Sequence, residues 1–156
     1  MRLARFLALI VTMAWGLWFG GLVTLFLAVT AIFNGLAPDR ALGGTAAAAV
    51  FQRFEPYRLA LAAVAVLASV GWRAANRSAA TPKTVVTTLL ILGAVVALAS
   101  TFLVSAPIRD LRRRGLTDTP QFQRLHGMSM AIYTGEAALL MGAGLALPAA
   151  LASSKQ

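Results

Sequence analysis

From Phe6 to Pro38 the chain runs 33 residues without one charged side chain. As an α-helix such a run is about 50 Å long, more than the roughly 30 Å of a bilayer's hydrocarbon core. It is too long for the apolar region of a signal peptide, about 7–15 residues, and no clean cleavage site follows it. Arg2 and Arg5 precede FLALIVTMAWGLWFGGLVTLFLAVTAIF, and the pattern predicts a retained first membrane span over residues 6–33.

Three further apolar runs follow. Leu59 to Trp72 holds only 14 uncharged residues, fewer than the roughly 20 that a span needs. A second span over 57–75 is therefore expected, with Arg58 and Arg73 reaching back to the headgroups from its ends. Thr84 to Ile108 gives 25 uncharged residues and a third span over 83–106, led in by a Thr81-Pro82 cap and first-turn proline. Gly127 to Ser154 is interrupted by Glu136 alone and predicts a fourth span over 127–151.

The composition agrees with this reading. The chain is 59% hydrophobic and 12% charged, where soluble chains carry about 25% charged residues, and its mean hydropathy is +0.77. The formal net charge is +9, but the basic residues stand between apolar runs, where lysine and arginine meet lipid headgroups. That distribution speaks against nucleic acid as a partner and makes the lipid bilayer the expected one. With no cysteine, the chain has no disulfide, no cysteine-based zinc or iron–sulfur site and no c-type haem attachment. Its single histidine, His126, cannot supply two axial haem ligands.

The expected fold is all-α: one integral membrane domain over residues 1–156, a four-helix bundle with both termini on one side. Arg2, Arg5, Arg73, Arg77, Lys83 and Lys155 fall on the terminal side, and eight arginines fall on the other. The counts do not separate the two sides. The terminal side is much shorter and its positive charge denser, so cytoplasmic termini are the expectation. GGTAAAAVFQRFEPY (43–57) places Ala47, Val50, Phe51 and Phe54 at helical spacing. It predicts a short interfacial amphipathic helix over 44–55, between the first two spans. PIRDLRRRGLTDTPQFQRLHG predicts a helical extension ending near Gly115 and a new start at Thr119-Pro120.

Taken in order, AWGLWFGG (14–21), FQRFEPY (51–57) and FQRLHGMS (122–129) resemble the bacterial four-helix membrane proteins filed as a domain of unknown function, with their eukaryotic relative, transmembrane protein 205. The motif residues are Phe54, Pro56 and Tyr57, one residue looser than the family's tight grouping, and His126, Gly127 and Ser129. The resemblance implies a four-helix membrane bundle, here in a bacterial cytoplasmic membrane. Its eukaryotic member is associated with tolerance of a platinum drug, and there is a looser likeness to copper-resistance membrane proteins. It implies no catalytic residues.

Several residues are candidates for function. Gly16 and Gly20 form a GxxxG, with Gly21 adjacent, and Trp15 and Trp18 lie mid-span beside them. Small residues at i and i+4 let helix backbones approach closely where lipid provides no hydrophobic drive. A seam inside the bundle is the expectation, and a contact with another subunit or a second copy is the alternative. His126 shares a helix face with Met130, while Met128 points away. Imidazole plus thioether suits a soft ion such as Cu(I), but completing such a metal site needs Met13, Met141 or another chain. The plainer reading of His126 is an interfacial residue bonded to a nearby carbonyl.

Glu136 falls within the hydrocarbon, where a charge is costly and calls for a partner. Thr24, Thr30, Ser100 and Thr101 are candidate hydrogen-bond partners and Arg58 the candidate ionic one; proton or ion handling is the alternative role. Arg112-Arg113-Arg114 reads as a headgroup-facing cluster or a docking patch for an acidic partner. There are no paired carboxylates, no HExxH, no GxSxG and no phosphate loop. The expected role is therefore non-enzymatic, an accessory, assembly or scaffolding component of a membrane complex without a cofactor, and soft-metal or small-cation handling is the alternative.

Overall fold

A computed structural model describes residues 2–75 and 80–152. Arg77 and Lys155, counted above for the terminal side, lie outside the described residues. The helices are α1 (Arg2–Gly35), α2 (Arg40–Ala75), α3 (Ala80–Ser100), α4 (Ala106–Arg113) and α5 (Pro120–Ala152), and a π-helical turn, Thr101–Ser105, joins α3 to α4. Four helical rods are long and apolar enough to cross a membrane: α1, α2, the α3–α4 rod and α5. They form an all-α four-helix bundle, and the protein is an integral membrane protein in contact with the lipid bilayer.

The rods close into a ring, α1 on α2, α2 on α3, α3 on α5 and α5 back on α1. An even number of crossings returns the chain to the side where it began. The core is thin and built of small residues (Ala14, Ala62, Ala65, Ala97 and Ala143 among them), with Trp18, Trp72, Leu90 and Leu140 filling it. Small side chains let the axes approach, and the two large indoles occupy what space is left. Gly93 lies against Trp18 and Leu140, and Gly144 lies so close under the Trp15 ring that a Cβ there would collide with it.

The local signals are legible at the turns. Asp39 caps α2 by accepting from the Leu42 amide at 2.9 Å. Gly115, at φ 72°, ends α4 in a Schellman turn: its N–H donates to Arg112 O, and that of Leu116 donates to Leu111 O. Thr119 caps α5, accepting from the Phe122 amide on its side chain at 3.3 Å, and Pro120 takes the first helical position. The π-turn stands just before Pro107, whose ring would crowd the carbonyl four residues back in a regular helix.

Two expectations are corrected. The interfacial helix over 44–55 is not a separate element but the first half of α2, continuous with the second span through Pro56. Its reason is inward packing: Gly43, Ala47 and Glu55 are buried, so this stretch lies against the bundle. The second correction concerns Arg58, which does not reach back to the headgroups. It is fully buried, because a set of acceptors meets it inside.

Candidate functional site: a charged pair at the bundle centre

Trp18, Arg58, Ala97 and Glu136 each stand near the middle of their rods, and they meet. Arg58 Nη1 donates to Glu136 Oε2 at 3.2 Å, with neither side chain exposed. Arg58 Nη2 donates to Ala97 O at 2.9 Å, Ser100 Oγ at 2.7 Å and Thr101 Oγ1 at 3.1 Å. Trp18 Nε1 donates to the other carboxylate oxygen, Glu136 Oε1, at 2.9 Å. All four rods thus contribute to one hydrogen-bonded cluster. The Arg58 guanidinium also sits 4.5 Å from the centre of the Tyr133 ring, and Phe51 packs edge-on against that ring.

The geometry follows from local sequence. Arg58 and Ala62 lie one turn apart on the inner face of α2, so the long arginine reaches across a floor of small side chains. Ser100 and Thr101 each donate back to Ala97 O at 3.0 Å, which holds their oxygens where the guanidinium can use them. In a medium of low dielectric a carboxylate and a guanidinium incur a large desolvation penalty, offset only when both are paired and their remaining lone pairs and protons are met. Both carboxylate oxygens and both terminal guanidinium nitrogens are met here.

The carboxylate oxygens and terminal guanidinium nitrogens of the cluster are turned on one another and on α1 and α3, and both grooves described below are lined without Arg58 or Glu136.

A second polar layer lies toward α4. Arg109 Nη1 pairs with Glu55 Oε2, Arg112 donates to Gly44 O at 3.0 Å, and its guanidinium sits 5.6 Å from the Phe122 ring centre. Arg112 is therefore engaged in the fold, and Arg114 pairs with Asp110 one turn away. At the other end Lys83 is buried, with Nζ 5.8 Å from the centre of the Trp72 ring.

The remaining candidates are scattered. Gly16 and Gly20 have nothing within 4 Å of where a Cβ would stand, and this corrects the expectation of an internal seam. Their face of α1 is turned outward because Ala14, Trp18, Leu22 and Leu25 take the inner face. Gly21 lines the same groove, half-buried, and alone of the three lies against a side chain, the Phe54 ring. Trp15 donates to Leu140 O at 2.7 Å. Outside, Gly16, Gly20, Thr24 and Ala28 line an apolar groove of about 410 Å³ walled by Val50 and Phe54 of α2. Beside it a second apolar hollow is lined by Ala49, Arg53 and Tyr57.

His126 is exposed and stacked on Phe122. Met128 and Met130 are exposed as well, as are Gly127, Pro56 and Tyr57, while Ser129 is half-buried. Met13 and Met141 also face outward. The structure thus brings together Arg58 and Glu136, and it leaves the histidine–methionine set on the surface. Among the described residues, no three of the His, Cys, Asp and Glu side chains gather as a metal-holding group. Of Glu136's expected hydroxyl partners, Ser100 and Thr101 serve Arg58 instead, and Thr30 donates to Phe26 O in its own helix.

Sequence reasoning missed Trp18 as a partner of Glu136, Tyr133 under Arg58, and Glu55 with Arg109. A signal existed for the first, since a mid-span indole N–H needs an acceptor. No periodicity signals the others, because each depends on which rods are neighbours.

Comparison with curated proteins and with solved structures gives no match in either. A family model does match, over residues 13–117, which takes in Trp18, Arg58, Ala97, Ser100 and Thr101 but ends before α5 and its Glu136. Covering more than half of the chain, that match makes the protein a member of the family described as Domain of unknown function (DUF4149).

Proposed function

We propose that the protein is a non-enzymatic scaffold or assembly component that docks another transmembrane helix on the outer face of α1. The observation that carries this is the open GxxxG. A Cβ at Gly16 or Gly20 would meet nothing within 4 Å, although glycine costs helix stability relative to alanine. Glycines at this spacing expose backbone for close helix approach. Thr24 and Ala28 continue the row at four-residue intervals along the same groove, giving a smooth seat about three turns long. A non-catalytic role is supported by the polar centre, whose carboxylate oxygens and terminal guanidinium nitrogens are taken up by the fold. The segments 14–21, 51–57 and 122–129 support kinship with the transmembrane protein 205 group, and with it a bacterial cytoplasmic membrane; the charge density of the terminal side supports cytoplasmic termini.

The test is native mass after mild detergent extraction, beside wild-type controls of thermal stability. The wild type is expected in a complex heavier than its own 16.4 kDa. Gly16→Leu and Gly20→Leu are expected to release the chain without lowering its melting temperature. A wild type that is monomeric in mild detergent and uncrosslinked in membranes overturns the proposal. So does stoichiometric Cu(I) binding that His126→Ala abolishes.

A further inference from the structure

Two charged side chains on the inner face of α2 keep one polar atom each without a partner. Glu55 Oε1 and Arg58 Nε are both buried and make no hydrogen bond, while the rest of each group is engaged. Residues three apart on a helix are neighbours on one face, so these atoms belong to the same stretch of the interior. Tyr133 lies there too: the Arg58 guanidinium sits 4.5 Å from its ring centre. Leaving such a group unmet is costly, and both stand on one face of α2 in an otherwise satisfied cluster.

The lone pair on Glu55 wants a donor and the N–H of Arg58 wants an acceptor. A water molecule is both at once, and buried waters take about three hydrogen bonds from groups of this kind. A metal ion is disfavoured by charge, because Arg58 and Arg109 flank the position and like charges repel strongly in low dielectric. We infer that Glu55 Oε1 and Arg58 Nε hold a shared water beside Tyr133. It joins the two ion pairs into one polar column from the partly exposed Arg109 to Glu136 and Trp18 at the bundle centre.

The column is one-sided. Beyond Glu136, toward the termini, come the apolar Ala62, Ala65, Leu90, Leu140 and Ala143, and the buried Ser69, Thr87 and Lys83 lie farther along the rods. The apolar layer next to Glu136 makes the partly exposed Arg109 end the side from which solvent hydrogens reach the centre. The site gives the protein a half-path for proton exchange, separate from the outer groove of α1.

The test uses the full chain in bilayers, ¹⁵N-labelled at arginine side chains and alanine amides, with magnetisation transferred from water by solid-state NMR. The Nε signal of Arg58 is identified by its loss in Arg58→Lys. It is expected to receive magnetisation from water well ahead of the Ala62 and Ala65 amides. Glu55→Gln, which keeps an acceptor, should retain the transfer, and Glu55→Leu should lose it. Arg58 Nε as slow as the Ala62 and Ala65 amides in the wild type overturns the inference, and so does unchanged transfer in Glu55→Leu. Should Glu55→Leu fail to fold, Tyr133→Phe takes its place: slowed transfer supports the site, and unchanged transfer overturns it.

Discussion

Arg58 Nη1 and Glu136 Oε2 stand 3.2 Å apart, fully buried, each near the middle of its own membrane-crossing helix. A charge on either alone at that depth has no solvent to meet it, so the pair is held together by the cost of separating it. Its partners on α1 and α3 make it a tie across all four rods.

Removing one partner should therefore do more harm than removing both. Glu136→Leu leaves the guanidinium uncompensated and is expected to cost about 3–5 kcal/mol, whereas Arg58→Leu with Glu136→Leu should recover most of that loss. Reversible unfolding in mixed micelles measures both. A double variant no more stable than the worse single one would show that the pair is not coupled.

Trp18 tests the other carboxylate oxygen. In Trp18→Phe the ring volume largely remains but the Nε1 donor to Glu136 Oε1 is gone. A buried acceptor left unmet costs about 1–3 kcal/mol, and with Glu136→Leu already present the same substitution should cost clearly less. A double-mutant cycle by the same unfolding measurement reads that difference, and a zero coupling term would contradict the bond.

Why some of this was legible in the sequence and some was not has a physical basis. Uncharged runs report burial in lipid directly, so four crossings could be read from length and composition. Thr119-Pro120 and Gly115 act through their own backbones, so those ends could be read as well. The depth of Arg58 could not. A run of 14 uncharged residues suggested that the membrane boundary lay at Arg58, yet an arginine facing inward is stabilised by acceptors 39 to 78 residues away in the chain. The direction of Gly16 and Gly20 was hidden for a related reason. A GxxxG marks a smooth stripe, and which side of α1 carries it depends on where Ala14, Trp18, Leu22 and Leu25 turn.

The two sets of glycines should consequently behave in opposite ways. Gly144 faces the Trp15 ring and Gly21 faces Phe54, so Gly144→Val and Gly21→Val force overpacking, worth about 1–3 kcal/mol. Gly16→Ala and Gly20→Ala meet open space and remove a helix-weakening residue, worth up to about 1 kcal/mol of added stability. Melting temperatures of the four variants in detergent check this, and a loss for Gly16→Ala equal to that for Gly144→Val would place the seam inside after all.

The turn between α4 and α5 supplies the last test, because it positions Arg109 and Arg112 over α2. Gly115 holds φ 72°, a left-handed conformation that costs an ordinary residue about 1–2 kcal/mol. Gly115→Ala should destabilise by that amount, although nothing crowds its Cβ position. Gly115→Asn should lose less, since asparagine tolerates the left-handed region. If strain at the turn alone is responsible, α4 should keep its place over Glu55. Cross-linking of Arg109→Cys with Glu55→Cys should then be equally efficient whether or not Gly115→Asn is also present. Equal stability of the alanine and asparagine variants would mean that the Schellman turn does not govern how α4 ends.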